Sequence, residues 1–128
     1  MDYINQDSLM FFDKYPAALP LYEAFATKLF ELFPDATLQV RKTQITFSNR
    51  RVFACVSIMR VKRKAELPAP YIVVTLGLAY PLGSRRVAAK TEPYPGRWTT
   101  HFVIGSTGDL DQGFFAWVRE AYDFSESK

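Results

Sequence analysis

The spacing of apolar residues changes once along the chain, and that change fixes the class of fold. Leu21, Tyr22, Phe25, Ala26, Leu29, Phe30 and Phe33 recur at three- and four-residue intervals, which puts them on one face of an α-helix over residues 18–33. Pro20 suits the first turn of such a helix and Pro34 stops it. From residue 38 the period falls to two. Ile45 and Phe47 then share a face with Arg41 and Thr43, while Val40, Lys42, Gln44 and Thr46 share the other, so Arg41 and Lys42 are expected to begin a strand. Ser48, Asn49, Arg50 and Arg51 supply turn residues before a second strand, making a hairpin of residues 38–59. In that second strand Val52, Ala54, Val56 and Ile58 alternate with Phe53, Cys55, Ser57 and Met59, and two apolar faces are the pattern of a central strand. Residues 71–80 repeat it, with Ile72, Val74, Leu76 and Leu78 on one face and Tyr71, Val73, Thr75, Gly77 and Ala79, a set of generally smaller side chains, on the other.

The connection over residues 81–97 is long for an ordered loop. It is expected to carry function or to hide a short edge strand near Arg86 to Thr91. Thr99 to Ile104 reads as the last strand. A closing helix over residues 109–122 turns Leu110, Phe114, Trp117, Val118 and Ala121 inward, with Ser106 or Thr107 placed to cap it. The order helix, strands, helix predicts an α+β fold: an antiparallel β-sheet of about four to five strands with an N-terminal and a C-terminal helix packed on one face. At 128 residues and 48% hydrophobic composition, the whole chain, residues 1–128, fits one domain with a full core.

Charge is distributed unevenly. Twelve of the sixteen Lys and Arg residues lie between Arg41 and Arg97, opposed there only by Glu66 and Glu92, a local balance of +10. Both ends are acidic. An uneven field of this kind attracts anions. Arg41, Lys42, Arg50, Arg51, Arg97 and His101, with Tyr94 and Trp98 as stacking surfaces, are the candidate ligand-binding residues, because guanidinium forks beside aromatic rings suit phosphates, carboxylates and nucleobases. The bland alternative is a solvated sheet rim. The basic run from Arg60 to Lys64 reads better as a soluble loop than as a nucleic-acid arm.

Other chemistries are poorly supplied. Cys55 is the only cysteine and His101 the only imidazole, so an internal disulfide, a zinc site and a cofactor-binding motif are not expected. The pair Cys55 and His101 is the single nucleophile and base available, but a cysteine in mid-strand among Phe53, Ala54 and Val56 reads as a packed side chain. Gly105-Ser106-Thr107-Gly108 resembles a phosphate cradle until Asp109 and Asp111 are considered, which would repel phosphate and complement the helix dipole themselves. No apolar run approaches the roughly 18 residues of a membrane span, and the first residues lack an export signature. A cytoplasmic location is therefore expected.

Several segments carry a resemblance. Lys42 to Phe47, Arg51 to Ala54, Val74 to Leu78, Glu92 to Trp98 with His101 beyond, and Trp117 to Tyr122 together resemble a bacterial family of small domains of unknown function, over roughly residues 19–124. Members similar to this chain occur alone or behind a short helical domain. The resemblance implies one intracellular α+β domain and brings no catalytic residues with it.

The function expected from these readings is a non-catalytic binding or accessory module for an anionic partner, either nucleic acid or a small phosphate or carboxylate ligand. A second reading is a small enzyme with His101 as general base and Arg97 or Lys42 stabilising negative charge. A third is a self-associating structural module, a homodimer joined through Val73, Thr75 and Ala79.

Overall fold

The computed structural model describes residues 6–61 and 66–127; Lys62, Arg63 and Lys64 of the basic run lie outside the described residues. A six-stranded antiparallel sheet carries the fold, in the order β1-β2-β3-β4-β6-β5. The strands are β1 (Thr37–Val40), β2 (Ile45–Ser48), β3 (Val52–Ser57), β4 (Ile72–Leu78), β5 (Val87–Tyr94) and β6 (Arg97–Ile104). Helices α1 (Gln6–Phe11) and α2 (Leu19–Leu32) precede them and α3 (Gln112–Glu126) follows. The α+β class holds, with six strands where about four to five were expected. None of the described helices is long and apolar enough to cross a membrane.

The seven apolar residues predicted for the first long helix are all buried. They meet the sheet through aromatic contacts: Phe25 lies 5.5 Å from Phe47 of β2 and 5.8 Å from Phe115 of α3, centroid to centroid. Alternation dictates which side of each strand joins them. Ile45 and Phe47, Ala54 and Val56, Ile72 to Leu78 at even positions, and Phe102 and Ile104 form one continuous core under α2 and α3. Ahead of α2, Phe12 is buried against Tyr22, while Leu9 and Met10 stay exposed.

Three local departures have physical causes. Residues 38–47 are not one strand: Arg41 N–H donates to Gln44 O at 2.8 Å, closing a tight turn between β1 and β2, so Arg41 and Lys42 sit in that turn and begin no strand. Between Phe47 and Ser48 the pairing with β3 slips by one residue, Phe47 facing Ala54 while Ser48 faces Val52. The extra residue is Phe53, and this bulge turns its ring into the helix-side core between Phe33 and Tyr122. Finally, most of the connection over residues 81–97 is strand β5, and Pro95-Gly96 turns it into β6, with Gly96 at φ +83° as the second turn residue after proline requires.

The start of α3 also differs from expectation. Asp111, rather than Ser106 or Thr107, caps it: its carboxylate accepts from Phe114 N–H at 2.8 Å and from Arg86 at 2.9 Å. Arg86 also reaches Asp109 O and lies over the rings of Phe114 and Trp117, tying the entry to β5 onto α3. The Phe114 bond first, and then Arg86, hold the Asp111 carboxyl below its ordinary pKa. A carboxyl whose folded-state pKa is depressed stabilises the fold above its unfolded value, about 3.9, and loses that contribution as pH falls through the folded value. The thermal midpoint of Asp111→Ala is therefore expected to lie below that of the wild type at neutral pH. The gap should close as the pH is lowered below about 4, a trend that a pH series of thermal melts reads directly.

Candidate functional site

The two faces of the sheet are chemically unlike. Opposite the helices, the register sets Thr46, Cys55, Thr75 and His101 in a row across β2, β3, β4 and β6. The next row toward the β5–β6 turn pairs Gly77 with Thr99, and the row on the other side joins Ser57, Val73 and Val103. Among the described residues no helix packs on this face. Cys55, Thr75, Thr99 and His101 are half-buried there, while Thr46, Ser57 and Val73 are buried. The result is a patch of small, mostly polar side chains on the helix-free face.

Arg97 lies over Gly77 at one end of that patch. A Cβ placed on Gly77 would stand 2.8 Å from one terminal nitrogen of Arg97 and 3.1 Å from its guanidinium carbon, so the guanidinium rests directly on the glycine backbone. Gly77 thus serves a close approach rather than a turn. Arg97 is half-buried, yet no hydrogen bond or ion pair engages it among the described residues. The other basic residues with described partners are differently employed. Arg86 is paired with Asp111, Lys90 donates to Leu82 O, Arg41 donates to Gln39 Oε1, and Arg119 lies over the ring of Phe33. The nearest acid in sequence, Glu92, accepts from Gly96 N–H inside the hairpin.

His101 completes the row. Its Nδ1 shares a 2.8 Å hydrogen bond with the Thr75 hydroxyl, which leaves Nε2 as the ring nitrogen for a ligand. Burial holds its pKa below the ordinary value of 6.5, so the ring is mostly neutral at pH 7. Burial likewise pushes the Cys55 thiol up, against a smaller opposing pull from Arg97 and Arg41. Cys55 and His101 stand two strands apart with Thr75 between them, about 9–10 Å at the usual strand spacing, so the thiol has no imidazole within proton-transfer reach.

The remaining predicted residues scatter. Tyr94 pairs with Arg97 across the hairpin and is exposed. Trp98 pairs with Leu78 and so faces the helix side, away from Arg97. Arg41 and Lys42 occupy the turn at the opposite end of the sheet. Arg50 donates to Glu126 O, and its neighbour Asn49 donates to Tyr122 O and accepts from Ser125; the turn thereby closes the C-terminal end of α3. Arg51 N–H donates to Asn49 Oδ1 in the same turn. Thr75, Thr99 and Gly77 are not among the ligand-binding residues expected from sequence. Position parity placed Thr75 and Gly77 on the small-residue face, but strand order, which brings them to β6, is not written in local pattern.

The glycine-rich stretch before α3 offers no anion site, because the Asp109 carboxylate already accepts from the N–H groups of Gly105 and Ser106. No group of three or more His, Cys, Asp or Glu side chains able to hold a metal occurs among the described residues.

The molecule is thus a small α+β domain with one helix-covered and one helix-free sheet face. Residues 10–125 match the family model described as Domain of unknown function (DUF5655), and the chain belongs to that family. Neither the curated proteins nor the solved structures contain a match to it.

Proposed function

We propose that the helix-free face of the sheet binds a small oxyanion-bearing ligand, a phosphate or carboxylate, between Arg97 and His101. The observation that carries this reading is the half-buried, unpartnered Arg97 guanidinium lying on Gly77. A cation kept partly out of water with no counter-charge is unfavourable unless a ligand supplies one. Thr75, Thr99 and the free nitrogen of His101 add neutral hydrogen-bonding groups around it, and a planar fork recognises two oxygens at once.

A small ligand fits better than single-stranded nucleic acid. Binding of bases needs aromatic platforms along the face, and the bulge has turned Phe53 into the core while strand parity has sent Trp98 to the helix side. Among the described residues, Tyr94 at the corner is the exposed ring beside Arg97. The module is read as non-catalytic because Cys55 is held un-ionised and remote from His101.

Sulfate tests the site without titrating itself. A bound dianion favours imidazolium, so sulfate affinity is expected to rise as the pH is lowered through the depressed His101 value and to plateau below it. His101→Gln should flatten that rise, and Arg97→Ala should abolish binding at every pH, as followed by isothermal titration. Equal sulfate affinity in Arg97→Ala and wild type would remove the assignment.

A further inference from the structure

A recess lies away from the sheet-face patch, between the segment leading into α2 and the connection from β3 to β4. Its floor is apolar, formed by Tyr15, Ala18, Ile58, Leu67 and Tyr71, and it encloses about 750 Å³, within the range of pockets that take small organic ligands. The walls are fixed. Pro68 is packed so closely on Gly105 that a Cβ there would come within 2.6 Å of its ring. The Tyr71 hydroxyl donates to Ile58 O at 3.0 Å, which binds the connection back onto the end of β3 and leaves that hydroxyl committed.

Polarity in this recess is one-sided. Its charged lining residues are Lys14 and Arg60, both exposed, and neither has an acid or hydrogen-bond partner among the described residues; no carboxylate lines it. A largely apolar cavity with cations at its margin and no acid in its lining is complementary to a molecule with an apolar body and a single negative end. We infer that this recess is a binding site for an amphipathic carboxylate of medium length, independent of the anion site on the sheet.

Three other cavities among the described residues do not share these properties. One lies along the exposed side of α2 with Glu23 and Glu31 beside Lys28, one is built around Arg85, Arg86 and Asp109, and one lies between α2 and α3 with Asp111 in its wall. Each carries its own acids, so none selects for an anion.

Decanoate and its uncharged counterpart decanol distinguish the charged end from the apolar body. Titrated into the whole chain and followed by NMR, decanoate is expected to shift the methyl resonances of Ala17 and Ala18 saturably and to bind about tenfold more tightly than decanol, the increment of one to two solvent-exposed ion pairs. The double variant Lys14→Gln, Arg60→Gln, whose two sites are exposed and outside the core, should bring decanoate down to the level of decanol. Ala17→Trp should fill the recess and remove both ligands. Arg97→Ala should leave decanoate binding unchanged, which separates this site from the sheet face. Equal binding of decanoate and decanol, shifts centred elsewhere, or no saturable binding below the micelle-forming concentration would each overturn the inference.

Discussion

Gly77→Val is expected to fold like the wild type and to lose sulfate binding by about 10- to 100-fold, the equivalent of one charge-assisted hydrogen-bonded contact. The backbone at Gly77 is ordinary strand, since Gly96 is the residue with positive φ, and a β-branched side chain suits a central strand. What the new side chain meets is the far end of a flexible arginine, 2.8 Å from the added Cβ. The guanidinium must therefore leave its place over Gly77 while the backbone need not move. Thermal melts should show an unchanged or slightly raised midpoint alongside the lost affinity. A variant that binds as the wild type does would show that Arg97 does not act from its place on Gly77.

Phe25→Ala should cause the largest loss of stability, about 3–5 kcal/mol, against the roughly 5–15 kcal/mol that holds a domain of this kind together. Phe25 is fully buried and its ring meets Phe47 of the sheet as well as Phe114 and Phe115 of α3. It is the point where both long helices and the sheet share one side chain. Truncation leaves a cavity lined by aromatic rings too large to collapse inward. Urea denaturation followed by fluorescence checks this. A loss below about 1 kcal/mol, the size of a surface change, would mean that the three elements do not pack around this residue.

The two long helices and the class of fold were legible because amphipathic periodicity and proline placement are local, whereas the short α1 was not read as a helix. Both Pro20 and Pro34 mark real boundaries of α2, and every residue assigned to its inner face is buried. The strand count was harder to read. The turn at residues 41–44 contains Arg, Lys, Thr and Gln, without the glycine, proline or asparagine that usually announces a reversal, and so two strands looked like one. The bulge at Phe53 was invisible for another reason. Both faces of β3 are apolar, so a one-residue slip leaves the hydrophobic pattern looking regular.

The site was half legible by parity alone. Arg97, Thr99 and His101 sit at alternate positions of one strand, which places them on one face, and the same rule sends Trp98 to the other. Setting Arg97 and Trp98 together in a site overlooked that rule. The contributions of Thr75 and Gly77 depend on β4 lying beside β6, a long-range pairing that local sequence does not encode. The overall basic charge was a weaker guide, because part of it serves the fold: Arg86 and Arg50 secure the two ends of α3.

The most direct test of the sheet-face assignment is a sulfate titration of the isotopically labelled wild type, following backbone amides and the arginine Nε–H signals together. The proposal predicts one saturable set of shifts confined to Arg97, Gly77, Thr75, Thr99 and His101, with Arg50, Arg51 and Arg85 unmoved. Shifts spread evenly over the exposed arginines, or centred on the turns at residues 41–44 and 49–51, would contradict it.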